Sequence, residues 1–270
     1  MDAIEWIDPF EGFVYRDETM MVDADEHARA LTACGIDPSL FGDKADPSFF
    51  IAEAIQAGVR SGITSDGNVN MVQSLVQRRP VELGETLRIH GRITAVQEVA
   101  RGWTVDTDVS FEGADGVHAI SAKRRTLKPD PDKVGAAKGG AGERPPPVVE
   151  DPLALEVIGE HTLTPAMVTA YRSDGNRIHF DPVAAQEAGF QAPIIGGGMG
   201  VHYLMAAIWG RGEPAEFDLD IYFRRPVFWD DAVTVRVDGA RDGNWRAICL
   251  TKGEAKGEKV VTEARINTIA

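Results

Sequence analysis

Apolar residues change their period twice along the chain. From Val22 to Gly35 (VDADEHARALTACG), Ala28, Ala30 and Leu31 recur at helical spacing, with Asp23 or Asp25 placed to cap the first turn. A longer apolar helix is predicted over Pro47–Gly62, PSFFIAEAIQAGVRSG. The period then drops to two, and RRPVELGETLRIHGRITAV, GWTVDTDVSFEG and GVHAISAKRRTL read as strands. The same order then repeats. TLTPAMVTAYRSDGN (Thr162–Asn176) predicts a helix with Thr164 as cap and Pro165 at the first helical position, where a missing N–H costs nothing. GGGMGVHYLMAAIWG (Gly196–Gly210) predicts a second apolar helix. LDIYFRRPVFWDDAVTVRVDGA, NWRAICLTKGE and KVVTEARINTI follow as strands, with Val233, Val235, Val237 and Trp245, Ala247, Cys249 alternating as on a sheet with one buried face.

The repeat is marked by shared words. Arg79-Pro80-Val81 and Arg225-Pro226-Val227 each open a strand and are each followed by an acidic turn. Between the halves, from Lys128 to Pro152, the chain is rich in Pro and Gly and has no apolar periodicity, the mark of a spacer. The division is an N-terminal domain over 1–127, a linker over 128–150 and a C-terminal domain over 151–270. Helices first and a strand meander after, twice over, predict an α+β protein built by duplication.

Composition narrows the partners. The net charge of −14 over 270 residues speaks against nucleic acid, which needs clustered Lys and Arg, and against an anionic membrane surface. It leaves room for a small anionic ligand at a local basic patch, for which Arg78-Arg79, Arg124-Arg125 and Arg224-Arg225 are available. No run approaches the roughly 20 apolar residues of a membrane helix, and the acidic start MDAIEWIDPFEGF lacks the order of a signal peptide. A cytoplasmic protein is expected, with Cys34 and Cys249 as ordinary buried thiols. His27, His90, His118, His161 and His202 show no metal-ligand spacing, so no metal is expected; His202 is expected to pack within the apolar helix.

The stretch that carries chemistry runs from Tyr171 to Met199, YRSDGNRIHFDPVAAQEAGFQAPIIGGGM. It resembles the signature of the MaoC-like dehydratases and R-specific enoyl-CoA hydratases, a helix ending in a Ser-Gly-Asp-x-Asn-Pro-Ile-His loop. Asp174, Asn176, Ile178 and His179 stand at matching places, followed by Asp181-Pro182, Ala188-Gly189-Phe190 and a glycine-rich helix entry. Ser173 replaces the family's glycine and Arg177 its proline, both near enough to alter acyl preference. The resemblance implies two tandem hot-dog domains, each an antiparallel sheet wrapped around a central helix, paired as a pseudo-dimer that could itself form a homodimer. It implies reversible hydration of a trans-2-enoyl-CoA to the (R)-3-hydroxyacyl-CoA, with the site in the C-terminal half and the N-terminal half shaping the acyl tunnel. The CoA thioester is then the substrate and no cofactor is required.

The residue types suit that chemistry independently. Adding water across an α,β-unsaturated thioester needs a base for water, an acid for the α-carbon and a site for the enolate oxygen. An imidazole ordinarily titrates at about 6.5, so a histidine such as His179 suits the base, and Asp174 in the same loop can hold the other side of the water. Gly196 to Gly198 open an apolar helix whose first N–H groups have no intrahelical acceptor, and Gly197 and Gly198 carry no side chain to bar a thioester oxygen. Asn176 is expected to brace the loop near the substrate. Arg177 makes a carboxylate-bearing acyl group conceivable, as in mesaconyl- or itaconyl-CoA. A hot-dog thioesterase and a non-catalytic acyl-CoA-binding protein are the other readings. The tetrapeptide Ser65-Asp66-Gly67-Asn68 repeats Ser173–Asn176 but has Met71 where the histidine would fall, and reads as a turn.

Overall fold

A computed structural model describes residues 6–65, 67–130, 132–133, 145–171, 176–239, 243–254 and 257–270. The first half runs β1 (Glu18–Met21), α1 (Ala24–Ala33), α2 (Phe49–Arg60), β2 (Val69–Gln77), β3 (Thr86–Val99), β4 (Gly102–Glu112) and β5 (His118–Pro129). The second runs β6 (Glu156–Thr162), α3 (Pro165–Tyr171), α4 (Pro182–Glu187), α5 (Gly197–Arg211), β7 (Phe217–Phe223), β8 (Ala232–Asp238), β9 (Ala247–Glu254) and β10 (Gly257–Ile269). The expected caps are present. Glu26 N donates to Asp23 Oδ1 at 2.9 Å, and Met167 N to Thr164 Oγ1 at 3.2 Å.

All ten strands form one antiparallel sheet in the order β1-β3-β4-β5-β2-β7-β10-β9-β8-β6. Read inward from either edge, the order is the same, so the halves are related by a local dyad across the β2–β7 junction. At that junction Ser74 pairs with Asp220. Their separation in sequence equals that of the two Arg-Pro-Val triplets, which places the dyad between them. The acidic turns after the triplets repeat their bonding as well. The Glu85 carboxylate accepts from Glu82 N at 3.3 Å, and the Asp231 carboxylate from Phe228 N at 2.7 Å.

Helices α2 and α5 pack against the sheet, α2 on β3 and β5 and α5 on β8 and β9. Along α2, Phe50, Ile51, Ala54, Ile55, Ala57 and Gly58 are buried, whereas α5 is buried almost all round, from Met199 through Met205 to Trp209. A helix apolar on every side belongs inside a core. One continuous core joins the halves, with Phe41 and Trp209 rings 5.3 Å apart across the boundary. This is the α+β double hot-dog architecture.

The spacer differs from its reading as a segment with nothing to pack. Strand β5 runs on to Pro129, and residues 145–149 are tied down at the far end. The Glu263 carboxylate, 1% exposed, accepts from Val148 N at 3.0 Å and Val149 N at 2.8 Å, while Arg224 donates to the Pro145 and Pro146 carbonyls at 2.8 Å. Val149 is buried beside Ala247 and Cys249. Prolines lack an N–H but offer carbonyls, and the half-buried Arg224 guanidinium uses them. The middle of the linker, residue 131 and residues 134–144, lies outside the described residues.

Candidate active site

The local structure around His179 follows from its neighbours. Helix α3 ends at Tyr171; Asp174, with 172–175, lies outside the described residues. Asn176 then caps a single 3₁₀ turn over Arg177–His179, with Ile178 N donating to its Oδ1 at 3.3 Å. The Asn176 side chain thus bonds to the backbone of its own loop. Asp181 caps α4 in turn, accepting from Val183 N at 2.9 Å and Ala184 N at 3.3 Å ahead of Pro182. The turn between two caps presents His179 inward, 8% exposed.

The His179 ring has a defined orientation. Its Nδ1 lies 2.8 Å from the Ile194 carbonyl. A carbonyl only accepts, so Nδ1 carries the proton and, in the neutral ring, Nε2 carries the lone pair. The backbone reinforces this, since Ile194 N donates to Ile178 O at 3.2 Å.

His179 lines a cleft of about 500 Å³ between the halves. The C-terminal half contributes Asn176, Ile178, Phe190, Ile194 to Gly198, Phe223 and Val227. The N-terminal half contributes Ile51, Ala52 and Ile55 from α2, with Asn68 to Met71 leading into β2. Gly197 and Gly198 are both in the wall, at the start of α5. A Cβ on Gly197 would lie 2.9 Å from the Phe223 ring, and one on Gly198 3.2 Å from the Tyr171 hydroxyl, so a side chain at either place would have to displace a neighbour.

Charge in the cleft opposes that of the whole chain. Arg101, Arg124, Arg224 and Arg225 line it, and the described lining residues include no Asp or Glu. Of the basic pairs singled out in the sequence, Arg79 instead binds Glu85 at 2.6 Å and Asp115 at 2.9 Å, and Arg125 grips Asp106. Arg177 is not in the cleft wall. It is exposed and paired with Asp181, Nε to Oδ2 at 3.2 Å, and its guanidinium holds the Asp181 carboxyl below the usual carboxylate range. A substrate-facing Arg177 is therefore corrected, because the helix-capping carboxylate four residues on holds the guanidinium at the surface.

Sequence reasoning gave the N-terminal half a share in the tunnel but named none of the residues that form its wall. Asn68 N donates to Ser65 O at 3.1 Å, and Ser65, Gly67 and Asn68 also line the cleft; Asp66 lies outside the described residues. Arg101 carried no signal, since its place depends on how β2 joins β7. Among the described residues no group of three or more His, Cys, Asp or Glu is arranged to hold a metal, and no helix is long and apolar enough to cross a membrane.

The architecture has solved counterparts. HtdX from Mycobacterium tuberculosis is similar with a TM-score of 0.74 at 20% identity, covering 94% of this chain and 99% of that one. A MaoC-like dehydratase from Phytophthora capsici is similar with a TM-score of 0.71 at 16% identity, covering 94% and 96%. A conserved Mycobacterium tuberculosis protein described as having a double hotdog fold gives 0.63 at 14% identity, covering 95% of each. At these identities the likeness establishes the fold. Residues 153–261 match the family model described as "MaoC like domain", so the C-terminal half is a MaoC-like domain, of a family that points to hydratase and dehydratase enzymes. No curated protein matches the chain's sequence.

Proposed function

We propose that this protein reversibly hydrates a trans-2-enoyl-CoA to the (R)-3-hydroxyacyl-CoA, with His179 and Asp174 as its acid/base pair. The observation that carries this reading is a buried His179, its tautomer fixed by Ile194, in an arginine-lined cleft of a MaoC-like domain. In the hydration direction, Nε2 of His179 takes a proton from water as the hydroxyl adds to C3. The alkene electrons shift to the thioester oxygen, giving an enolate that the first N–H groups of α5 at Gly197 and Gly198 would stabilise. C2 then takes a proton delivered through the Asp174/His179 pair, which restores both groups. Only protons move, so no cofactor is called for. Arg101, Arg124 and Arg225 suit the phosphates of CoA, Arg224 being held by Glu263 and the Pro145 and Pro146 carbonyls, and the apolar wall suits the acyl chain.

A narrower substrate, branched or dicarboxylic as in mesaconyl-CoA, draws support from Arg124 on the cleft wall rather than from Arg177. The test follows loss of enoyl absorbance when purified protein meets crotonyl-CoA. His179→Ala and Asp174→Ala should each slow it by about 10²- to 10⁴-fold. Release of free thiol without loss of the alkene would instead mean thioester hydrolysis. Tight binding without turnover of any enoyl-CoA would mean a binding protein.

A further inference from the structure

A second cluster of ionisable groups lies between the halves. Asp46, Ser48 and His202 are each at most 1% exposed, and His27 is 2% exposed. His202 Nδ1 is 2.6 Å from Asp46 Oδ2 and 2.7 Å from Ser48 Oγ. Asp46 Oδ1 accepts from Ser48 N at 2.8 Å and from Ser48 Oγ at 2.7 Å. On the other side, His202 Nε2 is 2.9 Å from the Tyr171 hydroxyl.

The bonding fixes its own directions. Backbone N–H groups only donate, so Asp46 N donates to His27 Nε2 at 2.8 Å and the His27 proton sits on Nδ1. The Asp46 carboxylate only accepts, so His202 Nδ1 carries the proton and points it at Oδ2. Nε2 of the neutral ring then accepts from the Tyr171 O–H. The chain of bonds thus runs from the start of α2, through α5, to the last residue of α3. Its final hydroxyl rests against Gly198, in the glycine entry of the cleft. The backbone bonds Ala45 N to Val81 O and Ile195 N to Val227 O make Asp46 the counterpart of Gly196 across the dyad.

We propose that Asp46, His202 and Tyr171 form a positioning relay. In it a carboxylate of the N-terminal half sets the tautomer of His202, which aims the Tyr171 hydroxyl and holds the end of α3 against the first turn of α5. The kinetic readout rests on the hydratase reading of the His179 cleft; the spectroscopic one does not. A merely structural network would support folding alone. The relay also makes catalysis depend on which nitrogen of His202 carries the proton.

The test is Asp46→Asn. Oδ1 must stay an acceptor for Ser48 N, so the new amide turns its NH₂ towards His202 Nδ1. An Nδ1–H would face that NH₂ and keep only Ser48 Oγ, at 2.7 Å, as acceptor, so the proton moves to Nε2, where Nε2–H confronts the Tyr171 oxygen. In ¹⁵N-histidine-labelled protein, His202 should change from the Nδ1–H to the Nε2–H form, and the His179 resonances should shift with it. With crotonyl-CoA, kcat should fall about 10- to 100-fold with KM little changed. Tyr171→Phe, which removes one hydroxyl and keeps the ring, should lose kcat similarly, and the double variant should be no slower than either single one. An unchanged His202 tautomer, unmoved His179 resonances, or losses that multiply in the double variant would overturn the relay. If Asp46→Asn does not fold, Tyr171→Phe carries the same arms: its His202 Nε2 resonance should lose its hydrogen-bonded shift and the His179 resonances should move. If wild type hydrates no enoyl-CoA, the proposed reaction fails, while the resonances still decide the relay.

Discussion

Removing the Glu263 carboxylate should cost more stability than any surface ion pair in this chain. The group is buried and takes Val148 N, Val149 N and Arg224 Nε at 3.0, 2.8 and 2.6 Å. In Glu263→Gln an amide nitrogen replaces one oxygen, so it meets a donor, either Val149 N–H or the guanidinium. One charge-assisted bond is lost, about 1.5–3 kcal/mol. The Arg224 side chain, only 13% exposed, also loses its counter-charge. Breaking a buried pair from one side costs about 3–5 kcal/mol in all. At about 2–4 °C per kcal/mol for a chain of this order of size, the melting midpoint should drop by roughly 6–20 °C. Urea titration should show a lower midpoint with unchanged slope, the sign of lost stability rather than altered compactness. Adding Arg224→Met should recover part of the loss, because the stranded charge is gone. A single-variant cost below about 1 kcal/mol, within the range of exposed pairs, would refute the reasoning. So would a double variant as unstable as the two losses summed.

The cleft yields further expectations. Gly197→Ala brings a Cβ to 2.9 Å from Phe223 and should lower hydration of crotonyl-CoA about 10²-fold by displacing the helix start. Gly253→Ala, with nothing within 4 Å, serves as the control and should leave the rate unchanged. Arg124→Ala and Arg225→Ala should each raise KM for crotonyl-CoA about tenfold at low salt, a charge-assisted bond's worth. A crotonyl thioester of N-acetylcysteamine, lacking phosphates, should not sense either change; equal effects on both substrates would remove the arginines from CoA recognition. Burial pushes His161 and His27 below their ordinary 6.5. The folded state therefore binds fewer protons than the unfolded chain, and stability should rise with pH up to about 6.5 and fall below it. His161→Phe, which keeps the stacking on Tyr203, should flatten that slope in melting curves, and an unchanged slope would exclude His161 as a source.

How far the fold could be read in advance varied with the kind of signal. The helices and the long strands carry strong periods and caps, and Asp23, Thr164 and Pro165 stand where their types predict. Strand β2 leaves a weak pattern because two of its buried positions are Gln73 and Gln77. Their amide NH₂ groups donate to the carbonyls of Lys123 and Pro214, so they read as polar although they face inward. The edge strands β1 and β6 are short and half exposed, which leaves little alternation to detect. At the site, His179, Asn176 and the glycines were legible because they share one local motif. Tyr171, Asp46 and His202 were not, since Asp46 and His202 are 156 positions apart and meet only after the halves pack. Arg177 misled for the opposite reason: its partner Asp181 is close by, and a local ion pair took the guanidinium away from the cleft.

The unequal helix entries, Asp46 at α2 and glycine at α5, have a consequence for how such a molecule can change. In an assembly of two identical chains every residue exists in two places, so widening one pocket widens its twin and thins the wall between them. Here each position occurs once. With an aspartate seated at one entry, the shared interior is free to drift towards the needs of a single ligand, and Ile51, Ala52 and Ile55 can be tuned as its wall without damage to a mirror-image site. One chain in place of two identical ones turns a symmetry constraint into a division of labour.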